Sequence, residues 1–298
     1  MKLIQWTLFL DMLGYGEMNG SIESDEQADQ FISFMNQNAE IFKSQDNDSI
    51  KVGYKESNFN IYEYYDIQHA LISDSLVITY KPKVLVKQIS DQLYYLHSAN
   101  ALFIIAHRLQ RYLYHCLEEK KIFIRGGISN KFAKIEGNFA VGSGIIEAYK
   151  IESKIAKYPR IVVSDEIVNN HKLVDAIRFL SIKLYAIPNL LVEENKVSFL
   201  DYARLMIRIG LQGELNFQNI SIYHHFFTNH RDSIIYHTNI TLKKIEELNN
   251  AGKIEEASII KENVLAKYIW LKNYHNNAIK TFADERIERM YSIIEPVK

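Results

Sequence analysis

The sequence predicts an α+β fold, a ferredoxin-like domain with an antiparallel-rich sheet followed by a carboxyl-terminal helical hairpin. Three observations carry this. Apolar strand-type runs at 2–10, 70–80, 122–128 and 160–164 alternate with helical patterns at 24–41, 84–120 and 143–156, in the order β-α-β-β-α-β-α-β. The run at 70–80 divides at Ser73-Asp74-Ser75 into the two strands of a hairpin. From His230 onward the pattern is helical, broken once at Ala251-Gly252. Two domains are therefore expected, 1–205 and 206–298.

The first strand is continuous apolar sequence ending in Asp11, and a loop at 14–24 follows it. Ser24-Asp25-Glu26 supplies the cap of the first helix, whose apolar side is Phe31, Ile32, Phe34 and Met35. The polar stretch 43–57 reads as a loop. Pro82 closes the second strand of the hairpin. In the long helix Ile89, Leu93, Leu96, Leu102, Ile105, Leu109, Leu113 and Leu117 recur at threes and fours, the spacing of a helix lying on a sheet. Glycines end the strand at 122–128, and 138–144 reads as a glycine-bearing turn. Residues 143–156 can form an amphipathic helix, and a further strand enters a helix at Ser164-Asp165-Glu166. Residues 190–200 form a hairpin turning at Glu194-Asn195-Lys196.

Composition narrows the function classes. Apolar residues make up 47% of the chain and tyrosine numbers 19, enough to bury a sizeable core. The net charge of −1 offers no extended basic footprint, so direct nucleic-acid binding is not expected. Cys116 is the single cysteine, which excludes an intrachain disulfide framework and fits a reducing compartment. Asp11 interrupts the amino-terminal apolar run, so a signal peptide is not expected, and no apolar run reaches bilayer-spanning length. A cytoplasmic protein is the expectation.

The chemistry centres on Asp11 and Asp74. Both stand at strand ends, on strands expected to be adjacent. Two carboxylates so placed can hold two divalent cations, Mg²⁺ or Mn²⁺, around a nucleoside triphosphate. Gly14 and Gly16 bracket Tyr15, and the amides of Met12, Leu13 and Gly14 are candidates to face phosphate oxygens, with the Met12 carbonyl as a further metal ligand. The competing reading is local: Asp11 capping its turn and Asp74 closing an Asx-turn. Glu147 is placed to pair with Lys150 at i, i+3. His224, His225, His230 and His237 match no ligand spacing and read as scattered surface or interface histidines. The aromatic stretch around Trp270 and Tyr274 reads as a helix-packing stripe.

Five segments, in order, carry a resemblance. The run Phe9-Leu10-Asp11-Met12-Leu13-Gly14-Tyr15 resembles the F-x-D-x-x-G-[FY] stretch of class III nucleotidyl cyclases, and Ile72-Ser73-Asp74 resembles their I-G-D, with Ser73 in place of glycine. Ile124-Arg125-Gly126-Gly127-Ile128 is similar to L-R-x-G-I. The stretch from Gly142 to Glu152-Ser153, with Arg160-Ile161-Val162-Val163-Ser164 after it, resembles the family's G-x-x-V-N-x-A-x-R-x-E-S helix and I-x-V-S strand. Phe199-Leu200-Asp201-Tyr202 is like its late strand. The match spans roughly residues 1–205. The chain departs from it at Ile146 for asparagine, at Lys150 for the transition-state arginine, and at Ala70 and Phe139 for the residues that read a purine base.

The resemblance implies a class III cyclase domain. Asp11 and Asp74 would bind two metal ions, Lys150 and Arg125 would contact phosphates, and Met12, Leu13, Gly14, Tyr15, Ser73 and Phe139 would line the substrate site. It also implies a homodimer with composite active sites. The departures most resemble the pyrimidine cyclases of bacterial Pycsar anti-phage systems, which make cyclic UMP or cyclic CMP for a separate cyclic-nucleotide-gated effector. Tyr15, Tyr64, Tyr65 and Phe139 are candidates for an aromatic base pocket. An adenylate or guanylate cyclase with unusual base recognition and a degenerate nucleotide-binding regulator are the alternatives. No G-G-D-E-F stretch of diguanylate cyclases stands at the hairpin.

Overall fold

The computed structural model describes residues 3–43, 59–84, 89–137, 139–212, 217–282 and 291–292. The chain divides into two compact units: residues 1–116 with 122–202, and residues 117–121 with 203–298.

The first unit is built on a seven-stranded sheet of order β2-β3-β1-β4-β7-β9-β8. Strand β1 (Trp6–Met12) lies between β3 (Ser75–Pro82) and β4 (Ile124–Ser129), antiparallel to both. Strand β2 (Tyr65–Ile72) pairs antiparallel with β3. These four strands, with helices α1 (Tyr15–Asn19), α2 (Asp25–Lys43) and α3 (Ile61–Tyr64) before β2 and α4 (Asp91–Lys120) before β4, give the order 2-3-1-4 of a ferredoxin-like βαββαβ core. A small ribbon follows, β5 (Lys134–Glu136) with β6 (Phe139–Val141). Helix α5 (Ser143–Lys150) then crosses to β7 (Ile161–Val163), the one strand parallel to its neighbour β4. Helices α6 (Asp165–Val168) and α7 (His171–Tyr185) precede the edge hairpin β8 (Leu191–Glu194) and β9 (Val197–Leu200). The antiparallel-rich α+β architecture is as predicted.

Local chemistry explains the elements. Ser24 Oγ accepts from the Gln27 amide at 3.3 Å while Gln27 Oε1 accepts from the Glu23 amide at 2.8 Å, closing the start of α2. That helix buries Phe31, Phe34, Met35, Ala39 and Phe42, whereas Ile32, expected on its apolar side, is exposed. In β1 the side chains of Trp6, Leu8, Leu10 and Met12 are buried on one face. Phe9 and Asp11 fall on the other, half-buried, as the two-residue period requires. Arg108 of α4 donates to the Phe42 carbonyl at 2.9 Å and to Tyr80 Oη at 3.2 Å, tying α4 to α2 and β3. Cys116, also on α4, is fully buried, and burial pushes its thiol pKa up.

Two expectations change in detail and a third goes untested. The loop after Gly14 contains the one-turn helix α1, and the expected turn at 138–144 includes the β5–β6 ribbon. The expected loop at 43–57 lies, from residue 44 on, outside the described residues.

The second unit is helical: α8 (Tyr202–Gln212), α9 (Phe217–Asn250), α10 (Ile254–Ile260), a wide π turn at Lys261–Leu265, and α11 (Ala266–Phe282). The break at Ala251-Gly252 is where predicted, with Gly252 at φ 75°. Trp270 and Tyr274 stack at 5.1 Å and are buried, a packing stripe. His230 and His275, by contrast, are fully buried partners, their rings stacked and their Nδ1 atoms 3.0 Å apart. The histidines of this unit are therefore not all surface residues. Among the described residues no helix is long and apolar enough to cross a membrane.

Candidate active site

The sheet register brings the two aspartates together. Asp11 lies opposite Ser75 on β3 and opposite Arg125 on β4. Asp74 stands immediately before Ser75 in the β2–β3 turn, where Ser73 takes φ 57°. That left-handed conformation favours glycine and explains why glycine is the residue to expect there. Asp11 and Asp74 lie near enough for the Asp74 carboxylate to add to the upward push on the Asp11 pKa.

Arg125 organises the remaining charge. Its Nη2 lies 3.0 Å from Asp11 Oδ2 and 2.5 Å from Glu152 Oε1. The Glu152 side chain is only 4% exposed, against 17% for Asp11 and 21% for Arg125. Two carboxyl groups, Asp11 and Glu152, thus share one guanidinium in a poorly solvated place, with Asp74 beside Asp11. Burial, then the neighbouring Glu152, pushes the Asp11 pKa up from 3.8 to about 7, against the pull of Arg125. Burial likewise raises Glu152, opposed by Arg125.

Glu152 reaches this position through two backbone features. Helix α5 ends in a π turn at Ile151–Ile155, closed by the Ala156 amide on the Ile151 carbonyl at 2.9 Å. That turn packs directly on Gly127 of β4. A Cβ at Gly127 would stand 2.2 Å from the Ala148 carbonyl and 3.0 Å from the Glu152 nitrogen. Only glycine admits the helix this close.

The other expected residues divide into those near the aspartates and those elsewhere. Met12 is buried on the opposite face from Asp11, so only its backbone is available to a ligand. The Leu13 amide donates to the Phe123 carbonyl at 2.9 Å and is not open to a phosphate, contrary to expectation. Gly14, at φ 88°, precedes α1, whose first turn starts at Tyr15. The Tyr15 ring packs against Phe31 at 5.5 Å. Lys150 is exposed at the end of α5, and Glu147 pairs with Lys131 at 2.7 Å rather than with Lys150. Phe139 is 78% exposed on β6. Ala70 is buried with Val77 and Ile135, and Ala140, next to Phe139, packs on that cluster.

Tyr64 and Tyr65 do not join the site. Tyr64 stacks on Phe59 and His97, and Tyr65 Oη donates to the Ile4 carbonyl at 3.0 Å. Tyr65 begins β2 and Ile72 ends it, so this aromatic group sits about 23 Å along the strand from Ile72, the residue before Ser73. The expected four-ring pocket is not assembled.

A divalent cation fits the donor set. Asp11, Asp74 and Glu152 around the Arg125 guanidinium bring more carboxylate than positive charge to one place, an excess that a divalent cation would offset. Among the described residues no group of three or more His, Cys, Asp or Glu side chains is arranged as a complete metal cage. Two carboxylates with backbone oxygens and water are the sparse set that Mg²⁺ accepts.

No protein-family model matches the chain, and no curated protein matches it. Among solved structures, the adenylyl cyclase CyaB from P. aeruginosa aligns at TM-score 0.35 and 10% identity, over 67% of this chain and 94% of that one. The guanylyl cyclase Cya2 aligns at TM-score 0.32 and 12% identity, over 66% and 89%.

Proposed function

We propose that the chain is a nucleotidyl cyclase that converts a pyrimidine nucleoside triphosphate, UTP in preference or CTP, to its 3′,5′-cyclic monophosphate and pyrophosphate. The observation that carries this is the Asp11–Asp74 pair at one end of a ferredoxin-like sheet, beside the Arg125 guanidinium.

In this reading Asp11 and Asp74 would hold two Mg²⁺ or Mn²⁺ ions, which would supply charge neutralisation and favour ionisation of the attacking hydroxyl. The ribose 3′-oxygen forms a bond to the α-phosphorus as the bond to pyrophosphate breaks, and its proton passes to solvent. Little acid–base chemistry falls to the protein, and its task is positioning. Arg125 and Lys150 would bind phosphate oxygens. Arg125 is already confined by two carboxylates, whereas Lys150 is exposed and supplies a point charge without arginine's fork.

Ala70 and Phe139 support a pyrimidine over a purine, because neither side chain hydrogen-bonds a base. The exposed apolar residues Phe139, Val141, Ile146 and Tyr149 lie on the β6–α5 segment. They support a homodimer in which each protomer completes its partner's site. By the resemblance, the product is a second messenger read by a separate cyclic-nucleotide-gated effector in anti-phage defence. The domains 1–205 and 206–298 would be catalytic and accessory.

Purified protein incubated with each of the four ribonucleoside triphosphates and Mn²⁺ tests the reading. Cyclic UMP or cyclic CMP with pyrophosphate is the expected product, abolished in Asp11→Ala and Asp74→Ala. Cyclic AMP or GMP would establish the purine alternative. Ile146 and Lys150 favour a second reading, a nucleotide-binding regulator without turnover, which predicts tight nucleotide binding and no product from any of the four.

A further inference from the structure

We infer that Glu152 is a positioning residue that holds Arg125 in place when a cation takes Asp11, so that the metal site can fill without leaving a buried guanidinium unpaired. The inference rests on the two-cation reading above and assigns a role to a residue that does not touch the reacting atoms.

The geometry gives the reason. One nitrogen, Arg125 Nη2, bridges Asp11 at 3.0 Å and Glu152 at 2.5 Å. A cation on Asp11 competes directly with that guanidinium for the same carboxylate. Were Asp11 the only partner, each binding event would strip the arginine of its counter-charge in a place where its side chain is 21% exposed. Glu152, more buried than either, keeps the contact. Its position follows from the π turn at Ile151–Ile155 and from the close approach that Gly127 permits, and π turns inserted in helices recur at functional sites. Arg125 is then held beside the carboxylates, aimed at the same end of the sheet, ready for phosphate oxygens.

Mn²⁺ binding without nucleotide, followed by electron paramagnetic resonance, tests this on the full chain. Glu152→Gln removes the charge. Glu152→Asp keeps the charge but withdraws it by one methylene. Both are expected to weaken Mn²⁺ about tenfold while the circular dichroism spectrum remains that of the parent. If Glu152→Asp binds Mn²⁺ like the parent, bulk negative charge is enough and the positioning role is wrong; unchanged binding in both variants overturns it as well. A parent protein that takes up no Mn²⁺, indistinguishable from Asp11→Asn, removes the two-cation reading itself. The unmodified protein gives a second readout through the guanidinium NMR signals of Arg125. They should remain protected from exchange when Mg²⁺ is added, and loss of protection on Mg²⁺ addition would show that Glu152 does not retain the arginine.

Discussion

Arg125 is bonded to Asp11 across β1 and β4 at 3.0 Å, so the protein sets a cation of its own against this carboxylate. The arrangement stays short of positive charge, and the packing around Glu152 and Gly127 keeps it so.

Asp11 is held above its ordinary pKa, and the sign of its effect on stability is therefore unusual for an aspartate. The unfolded chain releases the proton near 3.8 and the folded one near 7, so the folded state binds more protons between those values. Stability of the metal-free protein falls as pH rises through this window. Asp11→Asn removes the penalty and should stabilise the protein in EDTA at pH 7.5 by about 2 kcal/mol, roughly 4–8 °C in melting temperature, with no gain near pH 4. Catalytic turnover should disappear in the same variant. Equal melting of the two proteins at pH 7.5 would contradict the burial argument.

Gly127→Ala should cost more than 3 kcal/mol, because the new Cβ meets backbone atoms of α5 and its π turn, which cannot shift as a flexible side chain can. Gly16→Ala, with nothing within 4 Å of the added carbon, should melt within 1 °C or so of the parent. Thermal melts of the two variants provide the comparison.

Ser73 stands at φ 57° in the turn that presents Asp74. Ser73→Gly relieves that conformation and should raise stability by up to about 1 kcal/mol. A fall in stability on chemical denaturation would mean that the serine side chain matters more than the backbone.

Phe139 and Lys150 are both exposed, so their roles can be separated from folding. Phe139→Ala should lower kcat/KM for the proposed nucleoside triphosphate substrate about tenfold, chiefly through KM, and Lys150→Ala should lower kcat about a hundredfold. Neither should move the melting temperature by more than about 2 °C. Unaltered kinetics in both variants would place substrate elsewhere on the sheet.

The helical unit carries an acid sensitivity of its own. Burial lowers the pKa of His230 well below 6.5 and that of His275 to about 4, while Phe226, Phe227 and the Tyr291 carbonyl surround the pair and Arg231 opposes protonation of His275. The unfolded chain takes up these protons near 6.5, so stability is complete above that pH and is lost as pH falls toward 4. The loss from His275 alone approaches about 3 kcal/mol. His275→Phe should move the acid midpoint of helical circular dichroism to lower pH, and an unchanged midpoint would exclude the pair as its origin.

Much of this was legible in residue order. Asp11 and Asp74 could be read because each ends an apolar strand, and the 2-3-1-4 arrangement follows from where strand and helix patterns alternate. Glu152 was not singled out, because its importance depends on a π turn and on one close backbone approach, and neither has a periodic signature. The partner of Glu147 was misjudged for a related reason. Spacing along one helix pointed to Lys150, but Lys131, on the segment leading from β4 to β5, lies closer in space. The tyrosines at 64 and 65 show the limit of proximity in sequence, since they belong to the far end of the strand whose other end presents Asp74.

Cys116, sealed inside α4 with its thiol held protonated, leaves the protein without a native handle for alkylating reagents. A cysteine placed at Lys150 or Phe139 would therefore be the sole site of labelling in an otherwise unaltered chain. A spin or fluorescent label there would report whether two copies of the chain associate in solution and whether added nucleotide changes the label's surroundings.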